Sequence, residues 1–436
     1  MESLRIAETQ YPSPFASGLE FNPPVRGPWN IVHMALQIPE AHLLYICARG
    51  CLRGVLMTCA EMGAMDRMHW VGVREHDLAT GELDATTLRL ATHVIAALKT
   101  TKPPLIMVYL SCIHKCTQMD YPALLEGLRS AFPEIRFIGC HMMPTMRKSG
   151  PTDEERTRAQ MYEALSPCQP ITNAVTILGS DWPLAKNSVL KSALLAHGIA
   201  IRELPTCKSF ADYQNLAQSA TMLSFAPQAL LAATSTCSRL GRKHLHLPLC
   251  YPSAAIKAML AKAQEGLGIA IPSSQAEERA DHALRNAKKT LGDRPIHIDY
   301  TATVSPLSLA RLLIEYHFCV STLYLDAFAP HEEEDYAWLK EHAPDLRVCP
   351  TIHPSLRLER VRKYLNPEGD SILAIGQKAA YLSGTRFFVN TVNDMGHLDF
   401  GAQAFIASAM LEAQAKPKDP EIVLQQKGLG LPSCWH

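Results

Sequence analysis

From about residue 100 onward, short runs of β-branched, aliphatic and aromatic residues alternate with longer stretches of helical period, and few architectures accommodate that rhythm. Leu105–Ser111 (LIMVYLS) reads as a strand buried on both faces, followed by a helix over Tyr121–Phe132 with apolar residues three and four apart. Ile135–Cys140 is the next strand and Glu154–Leu165 the next helix. A second series has strands at Ala174–Leu178, Ile199–Leu204, Ala220–Phe225 and His244–Leu249, with helices at Asn187–His197, Phe210–Leu216 and Gln228–Arg239. After a long helix at Gln275–Leu291, a third series has strands at Ile296–Tyr300, Ser321–Leu325, Leu346–Val348, Ser371–Ile375 and Arg386–Val389. Its helices are Ser305–His317, Glu333–His342, Pro354–Tyr364 and Asp399–Glu412. Short strands separated by helices imply parallel βαβ units. A closed (β/α)8 barrel takes about 250 residues and would leave nearly half of this chain over. The expected fold class is therefore α/β, with three doubly wound, Rossmann-like parallel-sheet domains at 1–170, 171–293 and 294–436. The first 100 residues read as less regular.

Composition narrows the function classes. Lys+Arg and Asp+Glu both number 42 in 436 residues, which argues against a nucleic-acid partner held by a general basic field and mildly for burial in an assembly. No apolar run approaches the roughly 18 residues of a membrane helix. MESLRIAETQYPSP lacks the basic start and apolar core of a signal peptide, so a cytoplasmic location is expected. There the 13 cysteines read as reduced thiols or metal ligands rather than disulfides. No G-x-x-x-x-G-K-[ST] loop is present, and no G-x-G-x-x-G follows a strand; the Gly266–Gly268 stretch lacks the third glycine.

Two cysteine pairs share one spacing, Cys47-Ala-Arg-Gly-Cys51 and Cys112-Ile-His-Lys-Cys116. The second follows a buried strand, at the carboxyl end where open α/β sheets place their ligands. The pairs admit a four-thiolate zinc site, iron–sulfur ligation by thiolates from separate loops, or buried free cysteines acting as small hydrophobes. The last reading is taken for Cys140, Cys168, Cys207, Cys237, Cys319 and Cys349, and Cys250 and Cys434 are also read as structural. Gly50 and Gly54 would let backbone approach a bulky group, and Arg49 and Arg53 would offset thiolate charge or form the surface of a glycine-rich turn. His69, His76, His114 and His397 are candidates for contact with a bound group, each also readable as an ordinary solvated or capped histidine.

In their order, these features resemble the nitrogenase component 1 superfamily. ARGCLRG around Cys51 resembles the element carrying the middle of three cluster ligands. HDLATGELD (His76–Asp84) resembles the segment after it, and VYLSCIHKC the strand ending in the third ligand, here Cys112. CHMMPTMRKSG (Cys140–Gly150) resembles the loop after the next strand, and VTILGSD (Val175–Asp181) the strand opening the second domain. There are departures. NPPVRGPWN, where the first ligand would fall, has no cysteine; SFAPQ (Ser224–Gln228) lacks the cysteine that holds the active-site cofactor in the catalytic subunit; and Phe388–Asn390 has no histidine for its other end.

The resemblance thus implies a β-type oxidoreductase subunit, active only in a complex. It would contribute Cys51 and Cys112, with Cys47 and Cys116 beside them, to an iron–sulfur cluster, P-cluster-like or 4Fe–4S, shared with a homologous α-type subunit in an α2β2 hetero-oligomer. Low-potential electrons would come from a separate ATP-dependent iron–sulfur reductase and pass to the partner's active site, with methylthio-alkane reduction as the first expectation. A cofactor-assembly scaffold, a protochlorophyllide-type tetrapyrrole reductase and a non-redox metal- or small-ligand-binding α/β protein are the alternatives. No catalytic residue is named by the sequence, and neither nucleic acid nor membrane is expected as a partner.

Overall fold

The computed structural model describes residues 3–16, 20–21, 25, 31–79, 82–98, 102–141, 150–357, 367–419 and 422–425. Fourteen strands occur among them. They are β1 (Leu4–Arg5), β2 (His42–Ala48), β3 (Met68–Val73), β4 (Leu105–Leu110), β5 (Arg136–His141), β6 (Ile171–Ile177), β7 (Ala200–Glu203), β8 (Ser219–Ser224), β9 (Lys243–His246), β10 (Ile296–Asp299), β11 (Val320–Tyr324), β12 (Arg347–Cys349), β13 (Leu373–Ile375) and β14 (Phe388–Val389). They form three sheets, ordered β3-β2-β4-β5, β7-β6-β8-β9 and β1-β12-β11-β10-β13-β14. Every pairing is parallel except β1 with β12. The α/β class with three doubly wound sheets is thereby established. No helix among the described residues is long and apolar enough to cross a membrane.

The chain divides into two compact units. One holds Asn30–Asp181 and Ala200–His246, and so the first two sheets; the other holds Met1–Trp29, Trp182–Ile199 and Leu247–Gly430, and so the third. In the first unit the logic of double winding is visible residue by residue. Leu105, Met107 and Tyr109 of β4 enter one core, with Leu43, Tyr45 and Cys47 of β2 and with Val55 and Cys59 of the helix Arg49–Glu61. Ile106, Val108 and Leu110 enter the opposite core with Leu44, Ile46 and the helices Leu83–Ala96 and Tyr121–Ala131. A strand covered on both faces has no polar side, which is why β2 and β4 read as unbroken apolar runs.

The first core extends to the second sheet through Leu178, Leu204, Met222 and the helix Leu230–Leu240. A buried ion pair stands within this unit: Arg158, 3% exposed, donates Nη1–H to Asp181 at 2.9 Å and Nη2–H to Glu154 at 2.8 Å. In the second unit Asp399 caps the helix Val189–Ala196, accepting from Val189 N at 3.0 Å, Leu190 N at 3.1 Å and Ser188 Oγ at 2.7 Å. Gly376 there has φ of +108°, and a Cβ on it would lie 2.3 Å from the Asp299 carboxylate, so only glycine fits between β13 and that acid.

The least regular part of the sequence is where structure and expectation differ. Residues 42–73 form a complete βαβ unit, and the glycine-rich stretch expected as a turn is the start of the helix Arg49–Glu61. Two glycines cost an exposed helix about 1 kcal/mol each relative to alanine; burial of Val55, Thr58 and Cys59 on the other face offsets that. The helix Ser253–Leu267 is also absent from the expected elements, although Ile256, Met259, Leu260 and Ala263 mark its buried stripe. The helix expected over Pro354–Tyr364 is a 3-10 turn at Pro354–Arg357, and its remainder lies outside the described residues.

Candidate functional site

The chain enters the first sheet at β2, winds outward to β3, then returns past β2 to β4 and on to β5. The winding reverses between β2 and β4, and in open α/β sheets the crevice at the carboxyl ends of such strands is where ligands bind. Both C-x3-C pairs stand at that point. Cys47 is the penultimate residue of β2, and Cys51 lies in the first turn of the helix that follows. Cys112 and Cys116 begin and end the short helix Cys112–Cys116, one residue past β4. Parallel pairing of Ile46 with Leu110, and a backbone bond from Ser111 N to Ile46 O at 3.0 Å, tie the two segments side by side.

The four thiols are not equivalent. Cys47 is fully buried, Cys112 half-buried, and Cys51 and Cys116 are exposed. Burial, with the neighbouring Cys51 adding to it, pushes the Cys47 thiol up to about 12, so it stays protonated unless a metal displaces its proton. Arg49, Gly50, Arg53, Gly54 and Met57 are exposed with Cys51, and a Cβ at Gly50 or Gly54 would meet nothing within 4 Å. That end of the helix is open to close approach from outside.

Tyr45 is the site residue that sequence reasoning missed. Its side chain is fully buried, and its hydroxyl has no hydrogen-bond partner. Burial raises its pKa, and Cys47, Cys51 and Cys112, all within electrostatic reach, raise it further. A buried hydroxyl without a partner is rare because it forfeits its hydration, and this one shares its core with Cys47. Soft thiol donors suit iron and zinc, and a partnerless O–H donor beside them suits a group that brings sulfur acceptors. The residues present therefore fit an iron–sulfur cluster. Among the described residues no three His, Cys, Asp or Glu side chains form a ready metal site. NPPVRGPWN lies outside the described residues except Val25, and CHMMPTMRKSG is described only at Cys140, His141 and Gly150.

The candidate histidines fare differently. His114, between Cys112 and Cys116, is 1% exposed, with Nδ1 at 3.5 Å from Ser111 Oγ and no partner for Nε2. His69 shares a 2.8 Å hydrogen bond with His42, the first residue of β2, so it belongs to the amino end of the strand, away from the thiols. His76 is exposed in the helix Glu75–Ala79. In the other unit His397 stacks on Phe405 at 3.7 Å between ring centroids and meets Asn187 Oδ1 at 3.2 Å. Burial pushes it down to about 4, so it is a neutral packing residue. Of the cysteines read as buried hydrophobes, Cys140, Cys237 and Cys349 are buried and Cys207 half-buried, but Cys168 and Cys319 are exposed. Cys168 lies in the irregular connection before β6 and Cys319 immediately precedes β11, where apolar period says nothing of burial. Cys250 is half-buried, and Cys434 lies outside the described residues.

Residues 28–392 match the family model described as nitrogenase component 1 type oxidoreductase. The chain belongs to this family. Its fold is similar to that of the solved structure "Nitrogenase Cp1 at pH 6.5", with a TM-score of 0.67 at 14% identity over 92% of this chain and 94% of that one. It is also similar to "Nitrogenase Cp1 at pH 5", with a TM-score of 0.57 at 9% identity over 94% of each chain. Comparison with curated protein sequences finds no significant match. The family is one of oxidoreductases, as its description states.

Proposed function

We propose that this chain is the β-type subunit of a nitrogenase-like reductase, contributing Cys51 and Cys112, with Cys47 and Cys116 beside them, to an iron–sulfur cluster shared with a homologous α-type subunit. The observation that carries the reading is that both C-x3-C pairs stand at the switch point of the first sheet, with the partnerless, buried Tyr45 hydroxyl within electrostatic reach of Cys47, Cys51 and Cys112. When bound, such a cluster, P-cluster-like or 4Fe–4S, supplies one-electron transfer at low potential.

This chain's own residues prepare the place. The exposed thiol of Cys51 and half-exposed thiol of Cys112 face outward, where a partner can complete the ligand set. Gly50, Gly54 and Met57 recur at helical spacing beside Cys51, and the bare glycines leave room for a partner's backbone. Arg49 and Arg53 supply positive charge that offsets thiolates. In this reading an ATP-dependent iron–sulfur reductase delivers electrons, the α-type partner holds the substrate, and the α2β2 complex reduces methylthio-alkanes in the cytoplasm.

The test is the iron, zinc and acid-labile sulfide content of anaerobically purified protein with its copurifying chain. Several irons and sulfides per protomer and a second chain of similar size are expected. Cys51→Ala and Cys112→Ala should each remove the cluster absorbance, while Cys319→Ala keeps it. Zinc alone, or a full cluster in both of the first two variants, overturns the assignment. Reduction of a tetrapyrrole instead of a methylthio-alkane by the reconstituted complex, or release of its cluster to another protein, would replace the proposed reaction with one of the alternatives.

A further inference from the structure

Tyr45 stands in the middle of β2, in register with Trp70 of β3 and Tyr109 of β4. Its ring is packed in the core shared with Cys47, Val55, Tyr109 and Cys140. A phenylalanine would fill that core equally well, so the hydroxyl adds nothing to packing. It costs desolvation, since it is fully buried and finds no acceptor, sulfur included. The buried tyrosines nearby are satisfied: Tyr121 Oη donates to Val108 O at 2.6 Å, Tyr162 Oη accepts from Gly179 N at 2.9 Å, and Tyr213 Oη donates to Met161 O at 2.6 Å. Tyr45 alone among these four has a hydroxyl with no partner; Cys47 shares its core two residues along β2, and Cys51 and Cys112 are within electrostatic reach.

Resting on the cluster reading above, we infer that Tyr45 is a positioning residue whose hydroxyl donates a hydrogen bond to a sulfur of the cluster held by Cys51 and Cys112, and so sets that cluster's reduction potential. Hydrogen bonds to cluster sulfurs withdraw electron density and favour the reduced form, so they raise the potential. Buried away from water, the donor acts in a low dielectric, where one hydrogen bond has its largest electrostatic effect.

The experiment compares Tyr45→Phe with the unmutated protein, both purified anaerobically with the copurifying chain. Iron and sulfide content should be the same in both, while the midpoint potential of the variant moves to a more negative value. The Fe–S stretching bands in resonance Raman spectra should shift on transfer to D2O in the unmutated protein and lose part of that shift in the variant. In metal-free protein Tyr45→Phe should melt at a higher temperature than the unmutated chain, because it removes the unsatisfied hydroxyl. An intact cluster with unchanged potential and unchanged D2O sensitivity overturns the inference, as does a lower melting temperature of the metal-free variant. Absence of iron and sulfide from the unmutated protein overturns the cluster reading itself, and the Tyr45 assignment with it; the two failures are told apart by the first assay.

Discussion

Glu332 offers a sharp test of the electrostatics of the third sheet's unit. It is 2% exposed, and its Oε1 accepts from Leu307 N at 2.7 Å and Ser308 N at 3.2 Å, at the start of the helix Pro306–Glu315. Those two bonds favour the carboxylate, yet burial outweighs them, and Asp335 and Asp394 add repulsion, so the group is pushed up to about 8 from 4.5. The carboxyl thus stays protonated in the folded chain up to about pH 8, while in the unfolded chain it ionises from about 4.5. Between these values the folded state holds the extra proton, and stability falls as pH rises, by about 1.4 kcal/mol per unit.

Glu332→Gln keeps the shape and the acceptor for both N–H groups and removes the titration. Relative to the native chain, the variant should gain about 3 to 4 kcal/mol between pH 5 and pH 8. His42, His297 and His397 are each pushed down to about 4 by burial, and contribute the opposite trend below about 6.5, where the unfolded chain takes up their protons. Subtracting the two chains' profiles cancels that contribution. Urea unfolding followed by tryptophan fluorescence, with Trp338 in the adjacent helix Glu333–His342, measures the difference. Parallel loss of stability in both chains across that range would refute the argument.

Two structural predictions stand beside it. Asp181→Asn leaves the guanidinium of Arg158 buried with only Glu154 opposite, and should destabilise the first unit by about 3 kcal/mol; a chemical denaturation series checks this, and a change under about 1 kcal/mol would contradict it. Gly376→Ala forces a side chain onto a positive-φ residue and into the Asp299 carboxylate, which accepts from Thr301 N at 2.6 Å. It should cost about 3 kcal/mol, read as a lowered melting temperature.

Much of the architecture is legible in the sequence because helix and strand periods differ. Leu105–Ser111 matches β4 within one residue, and Ile135–Cys140 matches β5 within one residue at each end. The βαβ unit at 42–73 is not legible in the same way, since HLLYICA has no alternation and ARGCLRG looks like a turn. Only burial of Val55 and Cys59 makes a helix of it. The repeated C-x3-C spacing marks the cysteines in the chain alone, because it is a local pattern. Which cysteine segments become neighbours is a matter of strand order: β2 lies beside β4 and not only beside β3, so the segment carrying Cys47 and Cys51 lies beside the one carrying Cys112 across a long stretch of sequence. Tyr45 carries no mark at all, since a tyrosine in an apolar run is ordinary core. Its significance comes from the absence of an acceptor around one oxygen, and that is decided by packing from several strands and helices at once, which no local pattern encodes.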